Sequence, residues 1–131
     1  MEYSVGNKAI NYKTYTNSAV NNFAKVAEDK NPIHLDFEYA VNTIFEKPVV
    51  HGMLAASQIS NLIANSLPSP ESIYKSQSLI FKRPIFYNDK IKCKVEIISI
   101  VEEKKTIELK TICTNEDNEV VIEGIAVIKL L

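Results

Sequence analysis

From residue 52 to residue 66 the chain reads GMLAASQISNLIANS. Wound into a helix, Met53, Leu54, Ala55, Ala56, Ile59, Leu62, Ile63 and Ala64 point in almost every direction around the axis. A helix apolar nearly all round has to be enclosed by the rest of the protein. Its polar residues Ser57, Gln58, Ser60, Asn61 and Asn65 then need buried partners or a ligand.

The enclosing material lies downstream, where the apolar period changes from that of a helix to two. Ile91, Cys93, Val95 and Ile97 share one face, followed by Ile107, Leu109, Thr111 and Cys113, then by Val120, Ile122, Gly124, Ala126 and Ile128. EEKK at 102–105 and NEDN at 115–118 supply polar turns, so this half is predicted to be an antiparallel meander. With the first turn near residue 103, Cys93 and Cys113 fall opposite one another. That register permits a disulfide without requiring it, and reduced structural thiols are the expectation. No CxxC spacing or neighbouring histidine suggests a zinc site.

Upstream, an extended segment spans about residues 9–15. Val20, Phe23, Ala24 and Ala27 then mark a one-faced helix, with Ser18 as a candidate cap and a stop near Asp29 imposed by Pro32. A short helical pattern follows at Phe37, Ala40, Val41 and Ile44. One buried helix on a curved antiparallel sheet is an α+β arrangement, the hot-dog fold. The 131 residues, 46% apolar, form one domain, residues 1–131, with no repeat or linker. The sheet leaves unpaired edges, which a homodimer or higher homo-oligomer would cover.

A net charge of −1 provides no global field for nucleic acid or an acidic membrane. No stretch has the roughly 20 apolar residues of a spanning helix, and the polar N-terminus lacks a secretory signal. The expected location is the cytoplasm.

Only two histidines occur, and one lies in EDKNPIHLD at 28–36. Asn31 and Pro32 restrict the backbone between Asp29 and His34, so a carboxylate and an imidazole can face one small volume and share a water. The plain alternative is a polar turn in which Asp29 caps amides. In VVHGML at 49–54, Gly52 opens the enclosed helix, whose free amides suit an oxygen gaining negative charge. That glycine also suits simple close packing. Ser60, two turns along, is a candidate for orienting Asp29 or a substrate, although helix serines commonly bond the carbonyl four residues back.

FAKVAEDKNPIHLDFEYA followed by PVVHGMLAASQIS resembles the MaoC-like (R)-specific enoyl-CoA hydratases, the hydratase-2 group, in its DxNPxH motif (Asp29, Asn31, Pro32, His34) and its HGM helix start. YKSQSLIFKRPIFYNDKI at 74–91 extends the likeness over nearly the whole chain. Many members have Gly-Asp where Asn88 and Asp89 stand here, and either pair forms a turn.

The resemblance implies hydration of a trans-2-enoyl-CoA to the (3R)-hydroxyacyl-CoA, reversibly, without metal or added cofactor, coenzyme A being part of the substrate. Asp29 and His34 would be the acid–base pair. Gly52, Ser60 and Asn31 would orient the substrate or its oxyanion, and His51 and Met53 would contact it. Lys75, Lys82, Arg83, Lys90, Lys92 and Lys94 are candidates for the phosphates, though strand lysines also serve solubility. Leu54, Ile59, Leu62 and Ile63 would shape a site for short to medium acyl chains. An acyl-CoA thioesterase of the same fold and a non-catalytic acyl-CoA-binding protein are the competing readings. Hot-dog thioesterases often carry a helix carboxylate, and residues 52–66 contain no Asp or Glu.

Overall fold

The computed structural model describes residues 3–67 and 71–131. In chain order its elements are β1 (Lys8–Thr14), α1 (Asn17–Ala27), α2 (Pro32–Leu35), α3 (Phe37–Val41), α4 (Gly52–Asn65), β2 (Ser72–Gln77), β3 (Ile80–Phe81), β4 (Lys90–Val101), β5 (Thr106–Thr114) and β6 (Val120–Leu130). The alternating residues form the expected meander: β4, β5 and β6 pair antiparallel, β1 joins β4, and β2 and β3 both join β6. The six-stranded sheet carries α4 on its inner face, the α+β hot-dog arrangement.

Ile91, Cys93, Val95, Ile97, Ile107 and Leu109 are fully buried, as their alternation predicts. β6 departs from the prediction. A register shift beside Cys113 turns Val121 inward along with Ile122, while Val120 is only partly covered. Cys93 pairs directly with Cys113, their Cα atoms 4.2 Å apart, and the two sulfurs are joined. The expectation of reduced thiols is therefore corrected. Register placed two small side chains face to face inside the core, where a bridge needs little backbone movement.

Thr16 caps α1, accepting from the Ala19 amide at 3.2 Å, and Ser18 lies within the first turn. α3 ends at Val41, leaving Ile44 in an exposed loop. The expectation that α4 is wrapped all round holds for one side. Leu54, Ala55, Gln58, Ile59, Leu62 and Ile63 are buried, whereas Met53, Ser57, Ser60, Asn61 and Ala64 form an exposed stripe.

Buried Gln58 is fully partnered. Its amide donates to Asn11 Oδ1 at 3.0 Å and to the Ile91 carbonyl at 2.9 Å, and its oxygen accepts from the Tyr15 hydroxyl at 2.8 Å. These bonds tie α4 to β1, β4 and the segment that joins β1 to α1. Among the described residues, no helix is long and apolar enough to cross a membrane.

Candidate active site

The segment at 28–36 is more structured than a bent loop. α1 stops at Ala27, and Glu28 takes a left-handed conformation with φ 58°. Asn31 then caps α2, its Oδ1 accepting from the Ile33 amide at 3.2 Å. Pro32 occupies the first helical position, where its missing N–H leaves no bond unmade. Asn31 thus starts the helical turn that carries His34, while Asp29 stays on the approach, its Oδ1 3.5 Å from the Asn31 amide.

His34 is held through both its ring and its main chain. Its Nδ1 donates to the Val49 carbonyl at 2.8 Å, and the Val49 amide returns a bond to the Ile33 carbonyl at 3.1 Å. The Tyr87 hydroxyl donates to the His34 carbonyl. Because a carbonyl only accepts, Nδ1 carries the hydrogen and Nε2 is left for a ligand. Burial pushes the His34 pKa below its ordinary value of 6.5. The Val49 bond and the Asp29 charge pull it upward, and His51 adds to the lowering.

One ligating atom each from Asp29, His34 and His51 lies within 4.8 Å of the other two. Two hydrogen bonds of about 2.8 Å span that distance, so one water can touch both the carboxylate and the imidazole. Two imidazoles and a carboxylate at this spacing also have the donor set of a transition-metal site, the one such group among the described residues.

The three groups border a cavity of about 480 Å³ together with Gly52 and Met53 at the start of α4. First-turn amides there have no intrahelical acceptor and form the positive end of the helix. Met53 is 58% exposed, whereas His51 is 1% exposed.

Ser60 is placed elsewhere: it is exposed on α4 and does not line this cavity within one chain. The stripe that carries Ser60 lies on the exposed side of α4, opposite the residues buried against the sheet. The expected acyl-shaping residues Leu54, Ile59, Leu62 and Ile63 are also absent from the lining, being spent on the core. The apolar lining comes instead from Phe45, Val49, Val50, Phe81, Ile85 and Ile122. Val49 and Val50 stood beside His51 in the sequence and were the available signal. The alternation that puts Ile122 in the sheet interior carries no sign that it also reaches a cavity.

Of the six basic candidates, Lys82 and Arg83 border the cavity, each paired with an acid: Lys82 with Glu123 at 3.2 Å and Arg83 with Glu119 at 3.1 Å. Lys90 and Lys92 line a separate depression. Asn88 is left-handed at φ 71°, a conformation that asparagine adopts more readily than most side chains.

The model of the MaoC like domain matches residues 6–120. The chain is 42% identical to an (R)-specific enoyl-CoA hydratase of Aeromonas caviae over 96% of its own length and 94% of that protein. It is 39% identical to an (R)-specific enoyl-CoA hydratase of Rhodospirillum rubrum, covering 94% and 85% of the two chains. Among solved structures, the (R)-hydratase from A. caviae involved in PHA biosynthesis superposes with a TM-score of 0.96 at 41% identity, covering 99% of this chain and 98% of that one. With the fold, the motif and these similarities in agreement, the chain belongs to the MaoC-like domain family.

Proposed function

We propose that this chain adds water to trans-2-enoyl-CoA, giving the (3R)-hydroxyacyl-CoA, and catalyses the reverse dehydration. The observation that carries the reading is the approach of the Asp29 carboxylate and the His34 imidazole within 4.8 Å at a cavity that also contains the start of α4.

In the forward direction a water held by the pair loses a proton as its oxygen bonds to the β carbon. The double-bond electrons move towards the thioester, and its oxygen takes up negative charge. The Gly52 amide at the helix start is the donor assigned to that oxygen. A proton from the pair then reaches the α carbon, so one water is consumed and no redox cofactor is needed. Both parts arrive from the side occupied by Asp29 and His34. The two groups act as a coupled pair, with protons shared between them.

The substrate reading is supported by the hydratase names of the relatives. Lys82 and Arg83 at the rim are the assigned contacts for the phosphates of coenzyme A, in exchange for Glu123 and Glu119. The exposed stripe of α4 and the exposed Ile80 and Phe81 of the short strand β3 support a homodimer. In that assembly, the route by which Ser60 reaches a substrate is across the interface. Light scattering that found only monomers would remove the dimer.

Incubation with crotonyl-CoA tests the reaction. Loss of the conjugated enoyl absorbance without thiol release is expected. Thiol release instead would identify a thioesterase, and neither signal would leave a binding protein.

A further inference from the structure

We propose that His51 is a positioning residue that couples the two members of the acid–base pair, one ring nitrogen holding the main chain of Asp29 and the ring face supporting the imidazole of His34. Its catalytic consequence rests on the hydration reading above. His51 Nε2 donates to the Asp29 carbonyl at 2.9 Å. The same ring stacks on His34, with centroids 3.9 Å apart and planes 27° from parallel. Phe23 closes the other flank edge-on at 4.9 Å, so the His51 ring has little freedom to turn.

Packing alone does not account for an imidazole here. His51 precedes α4 at its cap position and makes no side-chain capping bond. Among the described residues its Nδ1 is buried without a partner, a cost that a phenylalanine would not incur. The polar function of the ring is therefore concentrated in the bond to Asp29. Asp29 follows α1 and His34 lies on α2, two elements joined by a short exposed segment, so a shared support limits their relative movement. Shifting either group by about 1 Å is enough to reduce turnover by about 100-fold.

Two substitutions separate the contacts. His51→Phe keeps a ring beneath His34 and removes the donor to Asp29. His51→Gln keeps an amide donor of similar reach and removes the ring. The chain has two histidines, so either variant leaves His34 as the sole imidazole, and a nitrogen-15 NMR titration reads it directly. The groups facing His34 are Asp29, His51 and Tyr87, with Lys82 and Arg83 along the same cavity.

In His51→Phe, kcat for crotonyl-CoA should fall about 10-fold or more while KM stays within about twofold. In His51→Gln, the His34 midpoint should rise towards the ordinary histidine value, and the acidic limb of kcat/KM should follow it. Circular dichroism checks that both variants fold. Wild-type kcat in a folded His51→Phe, or an unmoved His34 midpoint in a folded His51→Gln, overturns the proposal. A variant that unfolds outright assigns His51 to stability and overturns it as well. If wild-type protein shows no hydration while the His34 midpoint still moves in His51→Gln, the hydration reading fails and the physical coupling of the rings stands.

Discussion

Gly52 lies directly against the ring of Phe81: a Cβ built on Gly52 would stand 2.7 Å from the Cε1 atom of that ring and 2.9 Å from Cδ1. Gly52→Ala must therefore displace Phe81, whose ring is half exposed within one chain on a two-residue strand. The backbone favours alanine over glycine by about 1 kcal/mol in a helix interior, and Gly52, as the first residue of α4, feels only part of that preference. The expected outcome is a thermal midpoint unchanged or slightly raised, with kcat/KM for crotonyl-CoA lowered because the ring bordering the cavity has moved. Scanning calorimetry and steady-state kinetics on the same preparation check both halves.

Asp29→Asn preserves size and removes a group that exchanges protons. Hydration should fall by about 100-fold to 10,000-fold, the usual contribution of a positioned acid–base group. Asp29 is exposed, so the change in unfolding free energy should stay within about 0.5 kcal/mol. Full turnover in this variant would remove the role assigned to the carboxylate.

The lowered pKa of His34 has a definite sign in two measurements. The unfolded chain, with an ordinary histidine value of 6.5, binds a proton more readily than the folded one. The contribution of His34 to stability is therefore complete above pH 6.5 and is lost as the pH falls through the folded value. Neutral imidazole also persists below pH 6.5, so the acidic limb of kcat/KM should lie on the acid side of that value. Denaturation and kinetics over the same pH series check both directions.

Removing the Cys93–Cys113 bridge should be costly. Its ends are separated by 20 residues, and the chain-entropy model gives about 3 kcal/mol for a loop of that size. Replacing both cysteines with alanine should lower the denaturation midpoint accordingly, and the midpoint of the parent protein should fall when it is unfolded in the presence of reductant.

The meander and its facing pattern were legible because each β side chain alternates between core and solvent, so Ile91 through Ile97 and Ile107 through Cys113 announce their own orientation. Cys93 opposite Cys113 followed from the turn near residue 103, yet oxidation state is set by chemistry beyond register. α2 was hidden because four residues carry no measurable period, and Pro32 reads equally as a helix breaker and a helix opener. The gathering of Asp29, His34 and Gly52 at one cavity agreed with the motif spacing. Ser60 did not follow, since spacing along a helix fixes a direction around its axis and leaves unstated which direction the sheet covers. The apolar residues of the cavity were missed for a related reason: Phe45, the stretch holding Phe81 and Ile85, and Ile122 come from three separate places in the chain, and only folding makes them neighbours.

The three bonds made by Gln58 have one more effect. Sliding α4 along its axis by a single residue, about 1.5 Å, would strand at least one of those polar atoms inside the protein. The amide therefore acts as an axial stop, and Gly52, six positions earlier and about 9 Å away along the helix, inherits a fixed depth relative to His34. A polar side chain remote from the cavity in this way gauges how far the helix tip projects into it.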